Sequence, residues 1–143
     1  MTGFRLVIWA AILFVAVNAH AESPQNLYTL NCWGCHRPGG EGIPGTAPPL
    51  QNAVDFLRVP GGRSYLIQVP GVSQSSLSDA DTALVMNWIL ANFQKRGTPQ
   101  EFKPYTAAEI HEYRSTHLLD VTNTRKALID KMVAMKIRSA TDR

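Results

Sequence analysis

The sequence predicts an all-α chain in which one helical domain is followed by a helical extension. Three segments carry that prediction. From Ser78 to about Phe93, Ser78 can cap the first backbone donors, Asp79 and Asp81 put negative charge at the positive end of the dipole, and Ala83, Leu84, Trp88 and Ala91 line one face. Thr106-Ala107-Ala108-Glu109 reads as a capping box, with Tyr105 and Ile110 placed as a hydrophobic staple. From about Asn123 to Ile137, Leu128, Met132 and Met135 form an apolar stripe with Ile129 and Val133 beside it.

The remaining elements come in chain order. Arg5 precedes an apolar run from Leu6 to Val17, and Ala19-His20-Ala21 fits the small-x-small cleavage rule, so residues 1–21 are expected to be a signal peptide cut before Glu22. The run is shorter than the ~20 residues that a membrane-spanning helix needs, so no stable span is expected after cleavage. Pro24 to Leu30 is a short helix that leads into Asn31-Cys32-Trp33-Gly34-Cys35-His36. Arg37 to Pro49 is too dense in glycine and proline for helix or strand. Gln51 to Leu57 fits a helical turn or two. Val59-Pro60-Gly61-Gly62 and Val69-Pro70-Gly71-Val72 are both expected to be type II turns, and they bracket the apolar-tending segment Arg63 to Gln68. Gly97-Thr98-Pro99 ends the capped helix and acts as a linker. The chain thus divides into a leader (1–21), a first domain (22–95) and an extension (96–143).

With 143 residues and a formal net charge of +3, the chain suits one domain with an appendage and lacks the dense basic stripe of a nucleic-acid binder. The charge is unevenly spread. The extension holds nine basic and six acidic residues, whereas residues 22–95 hold four and five.

The two cysteines, Cys32 and Cys35, stand three apart with His36 adjacent. Cys-x-x-Cys-His is the attachment signature for c-type haem. Two thiols on one helical turn can each form a thioether to the same porphyrin, and the neighbouring histidine then faces the iron as proximal ligand. A small domain has too little core to hold haem by burial alone, so covalent attachment lets the porphyrin become the core. Three rival readings are weaker. A thioredoxin-like redox pair lacks a surrounding βαβ pattern. Zinc needs four ligands, and the other histidines after the leader, His111 and His117, are remote in sequence. A plain structural disulfide, which an exported protein could form, is the third.

From about Gln25 to Phe93 the sequence resembles the class I cytochromes c. Tyr28 lies four residues before Cys32, like the packing aromatic of that family's first helix; Pro48-Pro49-Leu50 is similar to its post-haem Pro-x-Leu; and Leu77-Ser78-Asp79-Ala80 opens a helix with Trp88, like its last helix. The resemblance implies a cytochrome c-like helical haem domain with one covalent haem c. It also implies that the Pro48 carbonyl accepts a bond from the second nitrogen of His36, and that the aromatic of the last helix packs on the first. One departure stands out. The family's sixth ligand is a methionine, commonly in Met-Pro, and here that place holds Val69-Pro70.

No methionine, histidine, cysteine or lysine lies between His36 and Met86. The remaining distal candidates are Met86, His111, His117, Met132 and Met135, with His117 the freest of them, and an iron without a protein sixth ligand is a further outcome. The function this implies is one-electron transport in the periplasm between a dehydrogenase and an acceptor, with a redox partner protein and no nucleic acid. The alternatives are a haem protein whose open distal site binds or senses a small ligand, and a dedicated haem subunit docked to a dehydrogenase through the extension. No acid-base pair for catalysis is evident near the motif.

Overall fold

The computed structural model describes residues 22–94 and 101–137. The leader, the linker Gly97-Thr98-Pro99 and residues 138–143 lie outside the described residues. Among those described, the chain is helical and has no strand beyond a single bridge between Ile43 and Ala47.

Helix α1 runs from Pro24 to Asn31. Ser23 caps it by accepting from the Asn26 amide, and Pro24 takes the first position, where a missing N–H costs nothing. A single turn, α2, spans Trp33–His36, and Arg37 at φ 56° ends it. After the glycine-rich loop comes a 3₁₀ segment, Ala53–Arg58, then α3 (Gly62–Gln68), α4 (Pro70–Ser73) and α5 (Asp79–Asn92). In the extension, α6 spans Ala107–Arg114 and α7 spans Val121–Ala134.

The two Pro-Gly turns part company. Gly61 has φ 85° and turns the chain into α3, as the sequence predicts. Gly71 is not left-handed: Val69 is extended, and Pro70 opens the one-turn helix α4, with the Ser73 amide donating to the Val69 carbonyl at 2.9 Å. Proline suits the first position of a helix as well as the second position of a turn, so the dipeptide alone does not decide.

Helix α5 is the axis of the core. Ser78 caps it by accepting from the Asp81 amide at 3.0 Å. It packs against α1 and against α6, and so buries Thr82, Ala83, Val85, Met86, Ile89 and Leu90. The single predicted face does not survive, because Leu84 and Ala91 are exposed. A helix sandwiched between two partners buries most of its circumference and loses a one-sided pattern.

The extension packs beside the first domain and shares its core. Its capping box is complete, with the Glu109 amide on Thr106 Oγ1 and the Thr106 amide on the Glu109 carboxylate, both at 3.2 Å. Tyr105 and Ile110 are both buried, as a staple requires. Helix α6 lies on α3 and α5, and α7 on α3 and the 3₁₀ segment. Helix α7 begins two residues before the predicted start because Asp120 caps it. Leu128, Ile129 and Met132 are buried there, whereas Met135 falls beyond the last turn and is exposed, so the stripe is shorter than its spacing suggests.

Candidate functional site

Cys32 sits between α1 and α2 with φ −121° and ψ −32°, a break that starts a new turn. The amides of Cys35 and His36 both donate to the Cys32 carbonyl, at 3.2 and 2.9 Å. One turn therefore presents both thiols and the imidazole. The thiols are free, Cys32 half-buried against the core and Cys35 exposed. Burial, with the neighbouring Cys35 second, pushes the Cys32 thiol pKa up.

His36 is half-buried, and burial lowers its pKa, which favours the neutral imidazole. The Pro48 carbonyl acts in the opposite direction. No hydrogen bond closes between them, and His36 Nδ1 remains buried without a partner.

Pro48 is brought there by a folded-back loop. The Gly42 amide donates to the His36 carbonyl at 3.3 Å, the amide and carbonyl of Ile43 bond to those of Ala47, and the Leu50 amide donates to the Gly40 carbonyl at 2.7 Å. Gly42 has φ 75°, and a Cβ there would meet the Ala47 carbonyl oxygen at 2.4 Å and that of Pro48 at 2.9 Å. Only glycine lets the strand of loop carrying Pro48 come so close. Behind the turn, Tyr28, Trp88 and Phe93 form a mutual cluster with centroids 5.0 to 5.4 Å apart. The Tyr28 hydroxyl donates to the Arg37 carbonyl. The packing of the last helix's aromatic on the first helix is thus present.

These residues fit a haem c. Two free thiols three apart can both bond one porphyrin, a histidine biased to its neutral form has a lone pair for iron, and the orphaned buried Nδ1 beside Pro48 is the donor that ligation through the other ring nitrogen would leave in need of an acceptor. No three His, Cys, Asp or Glu side chains gather among the described residues to hold a bare metal ion.

The distal candidates are scattered. Met86 is buried in the core of α5, and Met132 in that of α7. Met135 and His117 are exposed, the latter in the turn between α6 and α7. His111 faces Asp79, with Nδ1 3.0 Å from its carboxylate. Val69, at the place that holds a methionine ligand in the family this sequence resembles, is half-buried against the core.

Two arginines escape the sequence reading. Arg63 of α3 donates to the Lys103 and Pro104 carbonyls and to both oxygens of Glu109, while the Tyr105 hydroxyl returns a bond to the Arg63 carbonyl. Arg114 of α6 reaches the segment that links α4 to α5. Their partners lie 32 to 46 residues away, so no local pattern signals them.

Comparison with known proteins gives the family. Residues 21–60 match the family model for cytochrome c. A cytochrome c-552 of Thermus thermophilus is 35% identical over 127 residues, covering 76% of this chain and 86% of its own. A second cytochrome c-552 from Thermus thermophilus is 35% identical over 106 residues, covering 61% of this chain and 81% of its own. A match over 76% of this chain is longer than everything before Arg96, so the first similarity reaches into the extension.

Proposed function

Because this chain belongs to the class I c-type cytochromes, electron carriers with a covalently attached haem c, we propose that it is exported, loses residues 1–21, and shuttles single electrons in the periplasm between a dehydrogenase and an acceptor protein. The haem, when bound, supplies a one-electron couple between ferric and ferrous iron. The chain's part is to hold and tune it. Cys32 and Cys35 would fix the porphyrin through thioethers, His36 would give iron a ring nitrogen, and the Pro48 carbonyl would accept from His36 Nδ1–H, which would orient the ring and make it a stronger donor. The observation that carries this reading is the single turn bearing two free thiols and a neutral-biased imidazole with an unpaired, buried Nδ1.

Denaturing-gel haem stain tests the attachment. Stain should be present in the wild type and lost from the Cys32→Ser/Cys35→Ser variant, and stain that persists there refutes it. Mass spectrometry of the periplasmic fraction should find a chain that begins at Glu22 and carries one haem. Reduction by a purified periplasmic dehydrogenase should fall when salt screens the basic extension, if that extension steers the encounter.

One observation favours a second reading, in which the distal side of the iron is open to a small ligand: Val69 stands where a methionine is expected, and valine has no lone pair to give. His117 is the protein's alternative donor. Carbon monoxide binding to the reduced protein separates these, since His117→Ala should speed it only if that histidine must first leave the iron.

A further inference from the structure

The segment from Gln74 to Ser78, between α4 and α5, is bonded back to α4 by the amides of Gln74 and Ser75, on the Pro70 and Val72 carbonyls at 3.1 and 3.2 Å, and its Ser78 carbonyl accepts the Thr82 amide of α5 at 2.8 Å. One side chain from the extension ties down its carbonyls as well. Arg114 spends its guanidinium here: Nε donates to the Ser73 carbonyl at 3.3 Å, one terminal nitrogen to the Leu77 carbonyl at 2.9 Å and Asp79 Oδ1 at 3.0 Å, and the other to the Ser75 carbonyl at 2.6 Å and Ser75 Oγ at 3.2 Å. Thr82 Oγ1 lies at the edge of reach, at 3.5 Å. Three successive odd-numbered carbonyls thus converge on one cation whose side chain is only 14% exposed. Bonds from a charged, planar donor are among the stronger ones, and a rigid fork is suited to several acceptors at once.

The anchored segment comes directly after Val69 and α4, whose one turn is bonded back to the Val69 carbonyl. In a chain whose distal position holds a side chain unable to bond iron, nothing at the iron can pin this stretch. We propose that Arg114 is a positioning residue for the distal side of the haem: through the carbonyls of Ser73, Ser75 and Leu77 it holds the Val69–Leu77 segment closed, a task that a sixth-ligand bond would otherwise perform. The inference rests on the haem reading above and on Val69 marking the distal side. It assigns the extension a role inside the molecule, as the part that governs access to the iron.

Full-length holo-protein tests it with three variants. Arg114→Ala removes every bond; Arg114→Lys keeps the charge beside Asp79 but cannot span three carbonyls, and it remains informative should the alanine variant fold poorly. Arg63→Ala is the control, because it loosens the extension at Lys103 to Glu109 without touching the segment. Carbon monoxide association with the reduced protein is timed, and amide hydrogen exchange is followed over residues 69–78. Both Arg114 variants should bind carbon monoxide about tenfold faster or more, since the loss of even one net bond to a charged donor shifts a local opening equilibrium that far. Exchange should rise in residues 69–78 and stay slow in 40–50, and Arg63→Ala should bind carbon monoxide at the wild-type rate. Equal rates in the wild type and both Arg114 variants overturn the proposal, as does an equal acceleration by Arg63→Ala, which would show that general loosening is enough. If the wild-type chain carries no gel-stable haem, the haem reading itself has failed, and the proposal falls with it; stain with unchanged rates sinks the proposal alone.

Discussion

Between Ser23 and Gln51 the hydrogen bonds that shape the chain join near neighbours: Tyr28 to Arg37, Gly42 to His36, Leu50 to Gly40, Gln51 to Gly39. Between Gly62 and Asp79 the shaping bonds come from the extension, across 32 to 46 residues. The motif side is therefore closed by its own loop and by the aromatic contact with α5, whereas Gly62–Asp79 adds to its own helical turns a set of ties to the extension. Closing a longer loop adds little entropic cost per doubling of length, so the distant ties are not weaker. They are conditional: all of them fail together if α6 leaves.

Removing residues from Glu101 onward is the severest way to break this comparison. It deletes five buried side chains, Tyr105, Ile110, Leu128, Ile129 and Met132. At about 1.5–3 kcal/mol for each large apolar side chain, the loss rivals the whole stability of a small domain. The truncated chain should melt far below the full one, with hydrogen exchange accelerated first in α3 and in residues 69–78 and last in α1. Equal, simultaneous loss in α1 would show that the two sides are one cooperative unit.

A single change should do a smaller version of the same. Ile110 is fully buried between α6 and its partners, and Ile110→Ala should lower unfolding stability by about 2–5 kcal/mol. Chemical denaturation measures it, and a loss under about 1 kcal/mol would mean that α6 is only loosely seated.

Tyr28→Phe probes the other side. It deletes the hydroxyl bond to Arg37 and leaves the ring packed, so the expected loss is about 1 kcal/mol. The pH dependence gives a second handle. Burial raises the Tyr28 pKa from 10.0 to about 12. A raised value means that its stabilisation is complete below about pH 10 and is lost as pH climbs towards about 12. The phenylalanine variant should lack that part of the alkaline loss in a pH series of melting temperatures.

Acid should act on the extension side, and most gently. Bonds from Arg114 and then His111 hold the Asp79 carboxyl below the usual range, Arg63 does the same for Glu109, and the Asn123 amide for Asp120. Their contribution is present above the ordinary carboxylate range and disappears as pH falls through the lowered values. Hydrogen exchange in Ala107–Arg114 should rise at acid pH before it does in Pro24–Asn31. Glu109→Gln should remove part of that dependence, because the rest of it belongs to Asp79 and Asp120.

The caps were the most legible features of the sequence. Ser78, Thr106 with Glu109, and the breaker density of Arg37–Pro49 depend on residues within a turn of one another, and each is found where the spacing puts it. The face of α5 was not legible, because partners on two sides erase a one-sided stripe. Val69-Pro70-Gly71 became a helical turn rather than a type II turn for a similar reason, since the choice depends on the residues that pack around Val69 in space.

By itself the sequence determined the chemistry of the site: two thiols and an imidazole in five residues, which one helical turn must gather on the same side whatever surrounds it. It also determined that no ordinary donor stands at Val69, since identity needs no coordinates. Only the tertiary structure decided that the extension belongs to the core of the first domain, and that Arg63 and Arg114 join the two. An arginine has five donors and a long arm, and it bonds whichever carbonyls the fold leaves unpaired nearby. Which carbonyls those are is a property of the packed molecule.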